Sequence, residues 1–271
     1  MPLPFPKNQV RRLGQRLRIA EVPGDDDLAM LEELLAAYDE ALNAVVNAIR
    51  DALAVSPSQR LKNTGTIIEK LRRSSATHLA NIHDLAGARI VHEGGSPVEQ
   101  DQLVARLSEL FRTRGWEHHL IDRRLDPMQG YRAVHVVVRV DQLPVEVQVR
   151  TAWQHQWAEF YEKVADRLGR NIRYSSEVDA DDVLAALRLP PTVPDGFRSA
   201  ITEAASAIVR MSLALSDALV ETEAALVAGA ETEQVEAVVT KCNGLMQQAV
   251  ELLDSFATHP RTDALRHGRE L

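Results

Sequence analysis

Two neighbouring runs of alternating valines constrain the fold of this chain more than any other feature. Every second residue is valine from 134 to 140 and again from 145 to 149. A two-residue repeat is typical of β-strands, because successive side chains point to opposite faces of a sheet. The connection at 141–144 is short, so we predict an antiparallel hairpin in which Val140 pairs with Val145.

The predicted register collects the polar side chains of both strands on one face. It places Arg139 opposite Glu146 and His135 opposite Arg150, with Gln148 between the glutamate and arginine positions. The solvent side of an ordinary half-exposed sheet carries scattered Lys, Thr and Ser. A stripe of His, Arg, Glu, Gln and Arg is a more reactive selection and favours a functional face.

Helical periodicity covers most of the remaining chain. Helices are predicted at 25–55, 66–73, 97 to about 114, 152–168 and 197–227, a buried strand at 85–91, and a second tail helix after Gly229. Prolines at 190, 191 and 194 predict a domain boundary. We therefore expect an N-terminal helical segment at 1–58, a central domain at 59–189 and a C-terminal helical hairpin at 190–271. The apolar seam at 235–256, which includes Cys242, packs either within the chain or against another subunit.

Composition excludes several classes of protein. One cysteine rules out an intramolecular disulfide framework and a multi-cysteine zinc site. No signal-peptide core or 18-residue apolar stretch occurs, so we expect a cytoplasmic protein without a membrane span. The net charge of −8 argues against a DNA-coating protein. Two local runs are basic all the same: residues 1–20 hold five basic residues and no acid, and 60–73 hold five against one glutamate.

Phosphate binding, if present, depends on side chains. Neither a P-loop nor a Gly-x-Gly-x-x-Gly turn occurs in the sequence. On the predicted 66–73 helix, Thr66, Lys70 and Arg73 lie about one turn apart, and Lys62 precedes them. This face offers three cations and a hydroxyl to a polyphosphate.

Four motifs, in order, resemble the synthetase domain of the RelA/SpoT-like alarmone synthetases, particularly the small single-domain members and their toxin relatives. They are Arg60-x-Lys-x-x-x-Thr-Ile-x-x-Lys70, His83-Asp-Leu-Ala-Gly-Ala-Arg89, Gly130-Tyr-Arg-Ala-Val-His135, and Val145-Glu-Val-Gln-Val-Arg-Thr151 with Gln154-His-x-Trp-Ala-Glu159. The resemblance implies an α+β, nucleotidyltransferase-like fold, with a mixed sheet of about five strands flanked by helices. It also implies Mg²⁺-dependent transfer of the β,γ-pyrophosphate of ATP to the 3′-hydroxyl of GDP or GTP, which makes (p)ppGpp.

The resemblance assigns roles by position in the motifs. Asp84 and Glu146 are similar to the carboxylates that hold Mg²⁺. Glu146 is also similar to the group that activates or orients the acceptor hydroxyl. His135 is similar to a residue that lies beside the transferred group. The ATP-binding set implied is Arg60, Lys62, Thr66, Lys70, Arg73 and Arg89, in which the two arginines Arg60 and Arg89 sandwich adenine. The acceptor-binding set implied is Tyr131, Gln148, Arg150 and His155.

The sequence departs from the family pattern just before Tyr131. Many synthetases carry a lysine where this chain has Met128, which removes a positive charge from the acceptor side. Arg123, Arg124 and Arg132 are the candidates to replace it. Three functions therefore stay open: a guanosine-nucleotide pyrophosphokinase, a toxin that modifies the tRNA 3′ end or an adenosine nucleotide, and a catalytically silent nucleotide- or partner-binding module.

The same resemblance guides expectations about partners. Small relatives associate through C-terminal helices, so a homo-oligomer is expected, and the toxin alternative adds an antitoxin and tRNA. His83-Asp84 also matches the dipeptide of the hydrolase domain found upstream in the long relatives. Because 59 residues precede Arg60, hydrolase activity is not expected. His118 and His119 lack partners at zinc-site spacing and are interpreted as structural or surface residues.

Overall fold

The computed structural model describes residues 3–73, 76–93, 96–175 and 177–229, and six single residues between 237 and 251. Within these ranges the helices are α1 (Lys7–Ile19), α2 (Asp25–Leu53), α3 (Thr64–Arg73), α4 (Pro97–Thr113), α5 (Ala152–Leu168), α6 (Ala180–Ala186) and α7 (Asp195–Val227). The strands are β1 (Ser58–Leu61), β2 (Ala86–His92), β3 (His118–Asp122), β4 (Val134–Val140) and β5 (Leu143–Thr151). The six residues described between 237 and 251 are helical and belong to the second predicted tail helix. The residues of its predicted apolar seam, Cys242 included, lie outside the described residues.

The five strands form one mixed sheet in the order β1-β2-β5-β4-β3. β1 pairs with β2, β3 with β4, and β4 with β5, each pair antiparallel. The predicted α+β fold, with about five strands flanked by helices, is confirmed. Two of the strands, β1 and β3, lie at the sheet edges and do not follow from the valine pattern.

The hairpin of β4 and β5 exists, but its predicted register is wrong by two residues. Val140 pairs with Leu143, so Glu146 lies opposite Val137 and His135 lies opposite Gln148. The reason is a two-residue turn in which Asp141 and Gln142 have φ values of 49° and 72°. Such turns match the twist of a hairpin better than longer connections do. A shift of two residues preserves the faces, so the polar stripe stays together.

The chain divides into two compact units, each with its own core. The first comprises residues 1–92, 99–122 and 134–150, and the second comprises 93–98, 123–133 and 151–271. In the first unit, α1, α2, α3 and α4 bury their apolar faces together with one face of the sheet. In the second, α5, α6 and α7 pack around Trp157. The predicted boundaries near 58 and 189 stay predictions.

The start of α5 follows directly from the local sequence. Thr151 accepts a hydrogen bond from the Gln154 amide through Oγ1 at 3.2 Å, and its own amide donates to Gln154 Oε1 at 3.2 Å. This reciprocal pair is a capping box, which satisfies amides that have no partner within the helix. The helix therefore begins immediately after β5, as predicted.

Helix α1 uses its basic residues in two different ways. Leu13 and Leu17 are fully buried. Arg16 forms an ion pair with Asp27 at 2.7 Å, and Arg18 donates to the Leu71 carbonyl at 2.8 Å. Lys7, Arg11 and Arg12, by contrast, are exposed on the helix surface. These three are available to an external anion, whereas Arg16 and Arg18 stabilise the fold.

No helix in the part of the chain that the structure describes combines the length and the apolar character needed to cross a membrane.

Candidate active site

One face of the sheet is apolar and the other carries the polar residues. Alternate residues of β2, β4 and β5 belong to a single buried core, among them Ala88, Val136 and Val147. Because neighbouring side chains on a strand point in opposite directions, the intervening residues share the other face. Among those residues are Gly87, Arg89, His135, Arg139, Glu146, Gln148 and Arg150.

Glu146 lies at the centre of a hydrogen-bonded row on this face. Its side chain is 12% exposed, Gln148 Nε2 donates to its Oε1 at 2.7 Å, and His135 Nδ1 lies 3.2 Å from its Oε2. Arg150 Nη2 in turn donates to Gln148 Oε1 at 2.8 Å. Burial by itself would raise the pKa of Glu146, but the interactions with His135 and Gln148 outweigh it and the pKa is lowered. Glu146 is therefore an ionised and oriented carboxylate.

Asp84 forms a second charged cluster, in the turn that leads into β2. Lys62 Nζ lies 2.6 Å from one carboxylate oxygen and Lys70 Nζ lies 2.8 Å from the other. Burial would raise the pKa of Asp84, but the two ammonium groups outweigh it and lower the pKa to about 2. Burial lowers the pKa of Lys62, and the Asp84 charge opposes this effect. The cluster brings the two lysines of the first motif together with the aspartate of the second.

The start of α3 depends on Asn63, which sequence reasoning missed. Asn63 Oδ1 accepts hydrogen bonds from the Thr66 amide at 2.8 Å and from Thr66 Oγ1 at 2.6 Å. An asparagine just before a helix is a common N-cap, so this signal was present in the sequence. The cap orients α3, on which Thr66, Lys70 and Arg73 follow one another by about one turn.

Arg60 and Arg89 lie on neighbouring strands. Arg60 pairs with Gly87 and Ser58 pairs with Arg89 across β1 and β2. Directly paired residues project to the same side of a sheet, so the two arginines are diagonal neighbours on one face. This placement suits two guanidinium planes that enclose a flat ring.

A shallow cavity of about 590 Å³ lies at the other edge of the first unit, where α4 leads into β3. Trp116, His119 and Arg139 are among its lining residues. The ring of His119 meets that of His83 edge to face at 5.9 Å. Burial, with the positive charges of Arg139 and His119, lowers the pKa of His83. His119 pairs with Val137, which pairs with Glu146, so this cavity adjoins the polar face.

The remaining predicted residues, Tyr131 and His155, belong to the second unit. Tyr131 is half-buried against the core of that unit. His155, on the first turns of α5, has its Nδ1 4.0 Å from Glu159 Oε1. Trp157 is buried and Trp153 half-buried in the same core.

Asp84 and Glu146 could supply only part of the ligand set of a magnesium ion. The negative charge of Asp84 acts to raise the pKa of Glu146, which places the two groups within electrostatic reach of each other. Among the described residues, no cluster of three or more His, Cys, Asp or Glu side chains could hold a metal alone. Mg²⁺ commonly takes one or two protein carboxylates and completes its shell with substrate oxygens and water. The donor set thus fits a metal that arrives with a polyphosphate.

The acid stability of the protein should depend on Asp84. Its pKa is about 2 in the fold, below the ordinary 3.8, so its contribution is present above about pH 4 and is lost as the pH falls towards 2. We expect the difference in unfolding free energy between wild type and Asp84→Asn to shrink over that interval. Urea unfolding at several pH values measures this. Asp51→Asn, at an exposed position of α2, should parallel wild type; a difference that does not vary with pH would refute the expectation.

Comparison with known proteins agrees with the motifs. Residues 59–167 match the family model described as "Region found in RelA / SpoT proteins". This stretch of the chain is similar to the RelA/SpoT family. The family resemblance predicted from residues 60–159 is thereby confirmed.

Two curated relatives extend this similarity. The uncharacterised proteins Rv1366 of Mycobacterium tuberculosis and Mb1401 of Mycobacterium bovis are each 37% identical over 177 residues. The match covers 63% of this chain and 63% of the length of each relative.

Solved structures with a similar arrangement include two bacterial proteins. Small alarmone synthetase 1 from Bacillus subtilis, bound to its product pppGpp, is 20% identical with a TM-score of 0.44, over 70% of this chain and 96% of that one. A GTP pyrophosphokinase family protein from Streptococcus pneumoniae is 19% identical with a TM-score of 0.45, over 72% and 95%.

Proposed function

We propose that the RelA/SpoT-like region of this chain is a Mg²⁺-dependent pyrophosphokinase that transfers the β,γ-pyrophosphate of ATP to the 3′-hydroxyl of GDP or GTP. The observation that carries the proposal is the buried carboxylate of Glu146, held by His135 and Gln148 on the polar face. A pyrophosphokinase needs a carboxylate near cations that neutralise phosphate charge. The first unit contains both, as two separate clusters.

In this mechanism, the acceptor 3′-oxygen attacks the β-phosphorus of ATP. The bond between the β-phosphorus and the oxygen bridging to the α-phosphate breaks, and AMP leaves. Glu146 accepts or orients the hydroxyl proton, and the lowered pKa keeps it ionised for that task. His135, 3.2 Å from Glu146, orients the carboxylate.

The donor side is assigned to the first unit. Arg60 and Arg89 enclose the adenine, and Lys62, Thr66, Lys70 and Arg73 contact the phosphates. In the structure, Lys62 and Lys70 form ion pairs with Asp84. In the proposed complex, the phosphates of ATP replace this carboxylate as the anionic partners of the two lysines. When bound, Mg²⁺ held by Asp84 and Glu146 would neutralise charge on the phosphates. On the acceptor side, Tyr131 stacks on the base, with Gln148, Arg150 and His155 as further contacts.

The direct test uses ATP labelled at the γ-phosphate, because this label moves with the transferred pyrophosphate. Purified protein with Mg²⁺ is incubated with GDP, GTP, AMP, ADP, ATP or deacylated tRNA in separate reactions. We expect a labelled guanosine product that disappears when Mg²⁺ is chelated. Label on tRNA or on an adenosine nucleotide would move the assignment to the toxin class, and a folded protein that labels no acceptor would make it a silent binding module.

The tRNA alternative is favoured by one observation, the exposed Lys7, Arg11 and Arg12 on α1. If tRNA is the acceptor, changing all three to Gln should weaken tRNA binding. It should also flatten the dependence of binding on salt, by up to about 0.7–0.9 in log–log slope for each phosphate that is no longer neutralised. Arg16 and Arg18 are kept, because they stabilise the fold.

The matched control for this test changes Arg106, Lys163 and Arg167, which are also exposed. It removes the same number of positive charges from other parts of the surface. Equal affinity and slope in both triple variants would exclude the tRNA alternative.

A further inference from the structure

The segment Arg123–Ala133 between β3 and β4, here called the 123–133 loop, belongs to the second unit, and its two ends are hydrogen-bonded to each other. At its base the Arg123 amide donates to the Ala133 carbonyl at 2.9 Å. At its tip Gln129 and Gly130 have φ values of 51° and 81°, and the Tyr131 amide donates back to Met128 at 3.0 Å. These bonds define a tight turn immediately before Tyr131.

A buried carboxylate of α7 holds one side of this turn. Glu223 is 4% exposed, and Arg132 Nη2 donates to its Oε2 at 2.9 Å. Gln154 Nε2 of α5 donates to the other oxygen, Oε1, at 2.6 Å. Arg132 also donates through Nη1 to the Arg124 carbonyl, at 2.9 Å. Both oxygens of Glu223 are thus used, and the guanidinium of Arg132 joins α7 to two positions of the loop.

A second interaction holds the other side. Ser216 Oγ of α7 donates to the Gly130 carbonyl at 2.7 Å. A Cβ at Gly130 would lie 2.9 Å from both Ser216 and the Trp157 ring, so the backbone is pressed against α5 and α7. Trp157 is itself tied to α7, because its Nε1 donates to the Ser212 carbonyl at 2.8 Å. The close approach explains why this position is glycine.

The two anchors flank Tyr131 in sequence. Gly130 is held by Ser216 and Arg132 by Glu223, whereas Tyr131 between them is only half-buried. A buried ion pair is a costly way to obtain stability alone, since well-packed apolar residues of similar size serve as well or better. The ion pair instead fixes geometry. Because both oxygens of Glu223 accept directed hydrogen bonds, they favour one arrangement of the backbone next to Tyr131.

We propose that Glu223 and Ser216 are positioning residues for the acceptor, acting through Arg132 and Gly130 on the orientation of Tyr131. The inference rests on the proposed function in one respect, namely that Tyr131 stacks on the acceptor base. It gives α7 a task in substrate binding, besides packing. It also means that Arg132, a candidate to replace the missing lysine charge, is instead committed to Glu223.

The test compares Glu223→Gln and Ser216→Ala with Glu221→Gln, the same chemical change at an exposed position of α7. In the full chain, we expect both variants to raise the KM for the acceptor nucleotide about five- to twentyfold, with the KM for ATP within twofold of wild type. Hydrogen exchange in peptides covering 123–133 should accelerate in both, while peptides of β4 and β5 keep wild-type rates. Glu221→Gln should match wild type in every measurement.

The two readouts separate the inference from the function on which it rests. Wild-type exchange of the 123–133 peptides in a folded Ser216→Ala variant and in Glu223→Gln would overturn the inference, whatever the activity. An equal rise in both KM values would also overturn it, because it would indicate general damage. If wild type transfers no pyrophosphate to any nucleotide, the proposed function fails. Faster exchange confined to the loop would then still support the anchoring by α7.

Discussion

Replacing Glu146 with glutamine should lower kcat for pyrophosphate transfer by about 10²–10⁴-fold, the range typical of a lost general base. The substitution keeps the size of the side chain and an oxygen for Gln148, but it removes the charge that His135 and Gln148 stabilise. Binding of ATP without Mg²⁺ should change little, because the contacts to the donor phosphates and base are assigned to other residues. The measurement is the initial rate of label transfer from γ-labelled ATP at saturating acceptor.

The control for this variant is Glu40→Gln, at an exposed position of α2. It should transfer label at the wild-type rate. A Glu146→Gln protein that is folded and keeps wild-type kcat would remove Glu146 from the reaction. It would leave the polar face without a candidate for activating the hydroxyl.

Replacing Lys62 with methionine should raise the KM for ATP by about 10–100-fold, as expected when a charge-assisted hydrogen bond worth about 1.5–3 kcal/mol is removed. The Lys62 side chain is 15% exposed and lies 2.6 Å from Asp84. Its removal leaves Asp84 with Lys70 as its ammonium partner and so should raise the pKa of Asp84 as well. Initial rates over a range of ATP concentrations give the KM, and acid unfolding reports the carboxylate.

Lys163→Met serves as the matched variant, because Lys163 is exposed on α5. It should leave both the KM for ATP and the acid unfolding profile unchanged. If Lys62→Met also binds ATP normally, the assignment of the lysine cluster to the donor phosphates is wrong, and the cluster would serve to hold Asp84 alone.

The polar face was predictable because it depends on a property that local sequence determines. Side chains alternate along a strand, so Glu146, Gln148 and Arg150 share one face of the sheet and the valines of β5 share the other. The polar residues of β4 stay on the same face as these three in any register that is shifted by an even number of residues. The register itself depends on the turn. Asp141 and Gln142 both adopt positive φ, although neither is glycine, and nothing in the alternation indicated so short a connection.

Edge strands were harder to predict for a different reason. β1 has four residues and β3 has five, and each is paired on one side. Short half-exposed strands need few apolar residues, so the pattern around Ser58 and His118 carried little signal. Their places in the sheet come from pairing with β2 and β4, which neither short segment indicates by itself.

The sequence by itself determined the long helices, the hairpin, the polar face and the resemblance of residues 60–159 to the RelA/SpoT family, because periodicity, capping and ordered motifs are local properties. The tertiary structure alone decided which charges meet. Lys62 and Lys70 converge on Asp84 from separate elements, and Glu223 reaches Arg132 across 91 residues of chain. In the sequence of α7, nothing distinguishes Glu223 from a glutamate on the exposed face of a helix. Burial turns it into an anchor, because a charge removed from water must find a partner wherever the fold brings one.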